Sequence, residues 1–279
     1  MTTRELTTSL ASALQSIYSE REAQAIAALV VEHLLGMDSL QRMMAASEPV
    51  PAAAAALTAL SGLQARLLAN EPVQYVLGAA YFEGLELEVT PATLIPRPET
   101  EELVHIITQE QRGRTGLRVL DVGTGSGCLA IALARALLGA EVLAVARRNA
   151  TRYAPAVAFQ QVDVLATMPT GVAPGTLDVL VSNPPYVRES ERHLMRNNVL
   201  AWEPATALFV PDNDPLLFYR RLGEIGRELL RPGGGIYLEI NEGFSAQTQA
   251  LLVGQGYAAV QGLVDMFGKD RMVRAEQRR

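Results

Sequence analysis

The sequence predicts an α/β protein with a separate all-helical segment ahead of the sheet. Three observations carry this reading. From about residue 94 onward, apolar strand-like runs alternate with helix-period segments, the pattern of a sheet covered by helices. Residues 1–70 show helix periodicity alone. Between them, residues 71–93 switch to a period of two.

In the first segment, Ser19-Glu20-Arg21-Glu22 has the spacing of a capping box, with Ser19 as the cap and Glu22 reaching back. Apolar residues then recur at Ala25, Ala28, Leu29 and Val31, with Leu34 and Leu35 a turn on. Asp38 caps the next helix, and Pro51 suits the first turn of another. Residues 1–70 hold no glycine-rich loop and no cluster of titratable groups, so they read as a packing or recognition module. Glu71-Pro72 ends the helical run, because proline disfavours helix in the residue before it. Leu85, Leu87 and Val89 alternate with Glu86 and Glu88 after a Glu83-Gly84 turn, so residues 71–93 form a hairpin linker.

Residues 94–279 form the α/β domain. Leu117–Val122 is a buried strand and Cys128–Leu138 a helix. Leu177–Ser182 is the second clear strand. Asp214–Leu230 is helical and is stopped by Arg231-Pro232-Gly233-Gly234-Gly235. Ile236–Ile240 is a strand, Ser245–Gln255 a helix, and Tyr257–Val264 and Met272–Ala275 supply the last strands.

A chain of 279 residues suits two domains of about 100–200 residues each. Hydrophobic residues at 49% against 19% charged support a sizeable core and exclude general disorder. With 24 Lys and Arg against 30 Asp and Glu, the net charge is -6, the wrong sign for a chain that grips phosphate backbones. Cys128 is the only cysteine, so no intramolecular disulfide can form; it opens a helix as a small buried residue. Met1-Thr2-Thr3-Arg4-Glu5 is no secretory leader, and Ala52–Leu63, broken by Thr58 and Ser61, is too short to span a bilayer. The expectation is a cytoplasmic monomer without a membrane partner. His33, His105 and His193 are scattered without metal-ligand spacing, so no metal is expected.

Two motifs carry chemistry. In Asp121-Val122-Gly123-Thr124-Gly125-Ser126-Gly127 a strand runs into a glycine-rich turn and then a helix. Glycines let the backbone turn tightly and approach a ligand closely. The spacing G-x-G-x-G is neither the dinucleotide fingerprint nor a phosphate-binding P-loop. It suits a nucleoside with a short charged tail such as S-adenosyl-L-methionine, with Asp121 ordering the loop or meeting the ligand's ammonium group. Asn183-Pro184-Pro185-Tyr186 follows the strand Val179–Ser182, at the carboxyl end where α/β sheets bind ligands. The two prolines remove two backbone donors. What remains are acceptors, the Asn183 side-chain oxygen and the Pro184 carbonyl, beside the Tyr186 ring. That set suits a planar group bearing NH2. Together the motifs imply N-methylation by orientation and electrostatics.

The sequence resembles the peptide chain release factor N5-glutamine methyltransferases of the HemK type. The matching pieces are Glu71-Pro72-Val73-Gln74-Tyr75-Val76-Leu77-Gly78, Leu94-Ile95-Pro96-Arg97-Pro98-Glu99-Thr100-Glu101, the Gly123–Gly127 loop, Asn183–Tyr186, Glu203-Pro204 and Gly268-Lys269-Asp270-Arg271. The resemblance implies a class I methyltransferase (Rossmann-like) fold, with a mostly parallel sheet and an antiparallel last strand. It implies S-adenosylmethionine as cofactor and, as substrate, the glutamine of the Gly-Gly-Gln motif in class I release factors. The helical part would recognise the release factor. Asn183 and Pro184 would hold the amide beside Pro185, Tyr186 would support it, and Asp163 would lie near the adenine. Asp121, Gly123, Thr124, Gly125, Ser126, Gly127 and Asn183 would complete the cofactor site.

One departure stands out. The acidic residue that binds the ribose, expected at the end of the second strand, is missing where Glu141–Ala146 runs directly into Arg147-Arg148-Asn149-Ala150. A stretch of chain absent from this sequence, a deletion that weakens cofactor binding, or substitution by Glu141 would each account for it. The first is preferred, and an intact mass equal to 30.1 kDa would exclude it. Arg97, Glu99 and Glu101 either approach the cofactor or serve as helix-start charges after Pro98. Arg271, Arg274, Arg278 and Arg279 read as a solvated basic tail. The alternatives to a glutamine methyltransferase are an N6-adenine methyltransferase of DNA or RNA, taking its base by flipping, and a catalytically weakened release-factor binder.

Overall fold

The computed structural model describes residues 1–50, 53–137, 141–143 and 147–278. Pro51, and Ala144–Ala146 at the junction where the ribose carboxylate is missing, lie outside the described residues. The chain divides into two compact units, Met1–Ala79 with Arg196–Trp202, and Ala80–Met195 with Glu203–Arg279.

The first unit is helical: α1 (Thr3–Leu14), α2 (Glu20–Leu35), α3 (Ser39–Met44), α4 (Ala53–Leu68) and α5 (Val73–Leu77). Thr2 caps α1 in a full capping box, its Oγ1 accepting the Glu5 N–H at 3.2 Å while Glu5 accepts the Thr2 N–H at 2.8 Å. Ser19 accepts the Glu22 N–H, but among the described residues the expected return bond from Glu22 does not form and Glu22 Oε1 accepts from Arg196 Nη1 at 3.3 Å instead; Asp38 exchanges bonds with Gln41, as a cap residue there predicts. The buried face of α2 is Ala23, Ile26, Ala27, Val30 and Val31, whereas Leu29 is exposed. This corrects the phase expected from Ala25, Ala28 and Leu29. An alanine-rich helix is weakly apolar on every side, so its period does not choose a face. Leu6, Leu10 and Leu14 pack there with Leu60, Leu67 and Val76. Arg66 pairs bidentately with Glu71 at 2.5 and 2.8 Å and donates to the Tyr75 and Val76 carbonyls, which satisfies the end of α5.

The second unit opens with a hairpin, β1 (Ala79–Phe82) and β2 (Leu85–Glu88). Glu83 and Gly84 both take positive φ, which matches the twist of a two-residue turn. Leu85 and Leu87 are buried and Glu86 and Glu88 are not, as the alternation predicts. There follow α6 (Pro98–Glu110), β3 (Arg118–Val122), α7 (Cys128–Ala136), β4 (Glu141–Leu143), α8 (Arg147–Tyr153), β5 (Leu177–Ser182), β6 (Val187–Arg188), α9 (Asn197–Trp202, in the helical unit), β7 (Phe209–Val210), α10 (Leu217–Leu229), β8 (Leu230–Glu239), α11 (Ser245–Gly254), β9 (Ala258–Val264) and β10 (Asp270–Glu276).

Six strands form one sheet in the order β4-β3-β5-β8-β10-β9. The first four run parallel, and β10 is antiparallel to both of its neighbours. All six residues of β5 are buried, because both faces are covered. Val119, Val179 and Val181 pack with Leu103, Ile107 and Leu133 on one face, and Leu120, Leu180 and Ile236 with Tyr219, Leu222 and Ile225 on the other.

Three boundaries shift most from the sequence expectation, the first being the hairpin expected over residues 71–93, whose strands span only Ala79–Phe82 and Leu85–Glu88 while Val73–Leu77 is helical. Helix α10 begins at Leu217 rather than Asp214. Pro215 disfavours helix at Asp214, whose carboxylate instead pairs with Arg220 at 2.7 and 2.9 Å. The run Arg231–Gly235 belongs to β8 as a bulge, with the register slipping between Leu177↔Leu230 and Val179↔Gly235. A Cβ on Gly234 would sit 2.9 Å from the Leu177 carbonyl oxygen. Gly234→Ala is therefore expected to lower the stability of this unit by about 1–3 kcal/mol in denaturant melts. An unchanged midpoint would contradict the close approach.

Candidate functional site

The carboxyl ends of β3 and β5 open into a cavity of about 360 Å³, the side of such a sheet on which ligands bind. Asp121, Gly123, Thr124 and Gly125 form one wall, and Asn183 and Pro185 another. Ala92–Leu94, Gln160–Val162 with Val164, and Pro204 with Thr206 and Ala207 close the sides.

Gly123, Gly125 and Gly127 take φ of 78°, 54° and 88°, a region that other residues enter at a cost. A Cβ on Gly123 would lie 3.9 Å from the Asn183 carbonyl, so the bare face of the loop looks toward the end of β5. The Thr124 hydroxyl donates to Asp121 Oδ2. Among the described residues, no hydrogen-bond partner reaches the buried Asp121 Oδ1. Burial pushes the Asp121 carboxyl up to about 7, against the opposing effects of the Thr124 hydroxyl bond and the nearby Ala130 backbone. A buried carboxylate oxygen left unpaired in a cavity wall is what a cationic ligand group satisfies.

Ser126 and Gly127 lie behind this wall and do not line the cavity: Ser126 is buried and Gly127 precedes α7 as its N-cap. Asn149 fixes the loop from behind. Its Nδ2 donates to the Ser126 carbonyl at 2.8 Å and to the Glu88 carbonyl at 2.9 Å, and its Oδ1 accepts the Glu88 N–H at 2.7 Å. The loop is thereby tied to the hairpin. Val162 and Val164 line the cavity, but Asp163 between them does not. It is exposed, and its Oδ1 accepts the Leu165 N–H at 3.0 Å in its own turn.

At the end of β5, Asn183 Nδ2 donates to Thr100 Oγ1 at 3.1 Å. Thr100 Oγ1 donates to Glu239 Oε2 at 2.7 Å, and the Tyr186 hydroxyl donates to Glu239 Oε1 at 3.1 Å. Glu239 is 1% exposed, and burial raises its carboxyl above the usual carboxylate range despite Arg271 nearby. Burial, reinforced by the Glu239 charge, likewise holds the Tyr186 phenol protonated well above its ordinary range. Pro184 is buried, and the Tyr186 and Val187 N–H groups both donate to the Leu208 carbonyl, which fixes the turn.

Sequence reasoning missed Thr100, Asn149, Glu203 and Glu239. The buried Glu203 carboxylate accepts from Arg97 Nη2 at 2.5 Å and from the Ile95 N–H at 3.2 Å. It joins the two segments that supply Leu94 and Pro204 to the cavity. Arg97 therefore neither lines the cavity nor serves only as a helix-start charge, and Glu101 accepts the Glu83 N–H of the hairpin at 2.8 Å. Glu239 had a legible signal, a carboxylate ending the apolar strand Ile236–Leu238. The basic tail is corrected: Arg271 and Arg274 lie in β10, paired with Asp265 and Glu110 respectively. Among the described residues, no group of three or more His, Cys, Asp or Glu side chains is placed to hold a metal ion.

Residues 5–78 match the family model of the PrmC N-terminal domain, and residues 99–206 that of the methyltransferase small domain. A release factor glutamine methyltransferase of Bacteroides thetaiotaomicron is 42% identical to this chain over 98% of its residues and 99% of the relative's. One from Flavobacterium psychrophilum is 36% identical over 97% and 98%. The crystal structure of a methyltransferase from Pyrococcus furiosus superposes with a TM-score of 0.50 at 22% identity, over 78% of this chain and 100% of that one, and supports the fold.

Proposed function

This chain belongs to the release factor glutamine methyltransferase family and is an S-adenosylmethionine-dependent enzyme; we propose that it methylates the side-chain amide nitrogen of the glutamine in the Gly-Gly-Gln motif of class I peptide chain release factors. The observation that carries the reading is a single cavity lined by both Asn183 and Asp121, one of whose buried carboxylate oxygens has no hydrogen-bond partner among the described residues.

When bound, S-adenosylmethionine supplies a methyl group made electrophilic by its sulfonium. Asp121 Oδ1 meets the cofactor's ammonium, and the bare backbone of Gly123–Gly125 admits its close approach. Asn183 Oδ1 and the Pro184 carbonyl accept the two N–H groups of the glutamine amide, with Pro185 and Tyr186 bounding its plane. An amide nitrogen is a poor nucleophile, because its lone pair is delocalised. Holding both hydrogens on acceptors orients the nitrogen and raises its electron density, so the protein contributes position and electrostatics. The Gly123–Gly125 turn, backed by Ser126 and Gly127, completes the cofactor side of the reading together with Val162 and Val164, the cavity-lining neighbours of Asp163, and the helical unit recognises the release factor. No described helix is long and apolar enough to cross a membrane.

The test is transfer of labelled methyl from S-adenosylmethionine to a class I release factor, to the same factor with the motif glutamine changed to alanine, and to oligonucleotides. Label on the first substrate alone is expected. Label on nucleic acid alone would overturn the proposal. Calorimetry with S-adenosylmethionine addresses the weakened-binder alternative, since tight binding removes its motive.

A further inference from the structure

We infer that Thr100 and Glu239 set the polarity of the Asn183 amide, and thereby make the site select an NH2-bearing acceptor over a carboxylate. The inference rests on the acceptor proposed above and deepens it.

Each Glu239 oxygen accepts one hydroxyl, Oε2 from Thr100 at 2.7 Å and Oε1 from Tyr186 at 3.1 Å. A threonine hydroxyl carries one hydrogen. Once that hydrogen is given to Glu239, Thr100 Oγ1 can only accept, and the group placed to donate to it is Asn183 Nδ2 at 3.1 Å. The NH2 end of the Asn183 amide is thus turned away, and Oδ1 remains for the cavity that Asn183 lines. Thr100 and Glu239 are 2% and 1% exposed, so water does not substitute readily for either partner.

The consequence is specificity. A glutamine amide offers two donors and is held by Asn183 Oδ1 and the Pro184 carbonyl. A glutamate carboxylate in the same place offers none and meets acceptors only, and a buried mismatch of this kind is costly. Without the relay, Asn183 can turn its Nδ2 toward the cavity and receive the carboxylate. Thr100 and Glu239 touch no reacting atom, so both are positioning residues. Thr100 lies in the first turn of α6 and Glu239 at the end of β8, and the sheet order brings them to Asn183.

The experiment uses Thr100→Val, which keeps the shape and removes the hydroxyl, and Thr100→Ser, which restores the hydroxyl. Each is assayed for methyl transfer to the release factor. Each is also titrated, in the presence of S-adenosylhomocysteine, with the release factor and with the factor whose motif glutamine is changed to glutamate. For Thr100→Val, kcat is expected to fall about 10-fold or more with KM within about 2-fold, the loss of one oriented hydrogen bond. Its preference for the glutamine-bearing over the glutamate-bearing factor is expected to narrow by about 10-fold. Thr100→Ser is expected to restore both. A wild-type preference that persists in Thr100→Val, or a Thr100→Ser protein as impaired as Thr100→Val, overturns the inference. Should Thr100→Val fail to fold, Glu239→Gln, which can donate to Thr100 and reverse the relay, is read by the same two ratios. Failure of the wild-type enzyme to methylate the release factor would instead overturn the acceptor assignment.

Discussion

Asn183→Ala is expected to lower methyl transfer to the release factor by about 1,000-fold, the scale on which a preorganised polar group acts on developing charge. The affinity for S-adenosylmethionine is expected to change by less than about 3-fold, since Asn183 is one of several wall residues. The two effects separate because the side chain stands between the proposed ligands. In the proposed arrangement its Oδ1 would meet the acceptor nitrogen, while the glycine loop and Asp121 would hold the cofactor. Asn183→Asp is the sharper variant. A carboxylate there accepts as well as an amide oxygen does, but it has no donor for Thr100 and adds a charge beside buried Glu239. Its activity is expected to stay well below wild type. Single-turnover rates at saturating cofactor and isothermal titration measure the two quantities. Equal losses in rate and cofactor affinity would show that Asn183 serves the cofactor alone.

Asp121→Asn is expected to weaken S-adenosylmethionine binding by about 10-fold or more, the value of one charge-assisted hydrogen bond in a buried site. The same residue gives the binding a pH dependence. Its carboxyl sits at about 7 in the free protein. Pairing with an ammonium group requires the ionised form, so affinity falls as pH drops below 7, by up to about 10-fold per unit. The stability of the cofactor-free fold runs the other way. The folded-state value lies above the unfolded one of about 3.9, so the stabilisation is fully present below that pH and is lost as pH rises through 7. The swing is on the order of a few kcal/mol. Asp121→Asn is expected to flatten both dependences, as read by calorimetry and thermal melts between pH 5 and pH 8. Affinity independent of pH in the wild type would contradict the pairing.

The parts of this molecule legible in its sequence are those decided locally. The glycine turn after β3 and the proline turn after β5 are written within a few residues, because their backbones demand those residue types. The hairpin alternation and the caps at Ser19 and Asp38 are local in the same way. The phase of α2 was not legible, because its alanines leave no single apolar stripe. Asp163 was placed by resemblance, and its side chain turns out to serve its own turn. Thr100 and Glu239 stand 139 positions apart and meet only through sheet topology. Arg97 and Glu203 meet across 106. A carboxylate in a sequence does not announce which distant hydroxyl or guanidinium it will receive, so the supporting ring of the site emerges only from the fold.

The central claim is the identity of the methylated atom. Tandem mass spectrometry of a class I release factor, after incubation with this protein and S-adenosylmethionine, tests it most directly. One added methyl group on the side-chain amide of the Gly-Gly-Gln glutamine is the predicted result. A methyl group on any other residue, with that glutamine unmodified, would contradict the account.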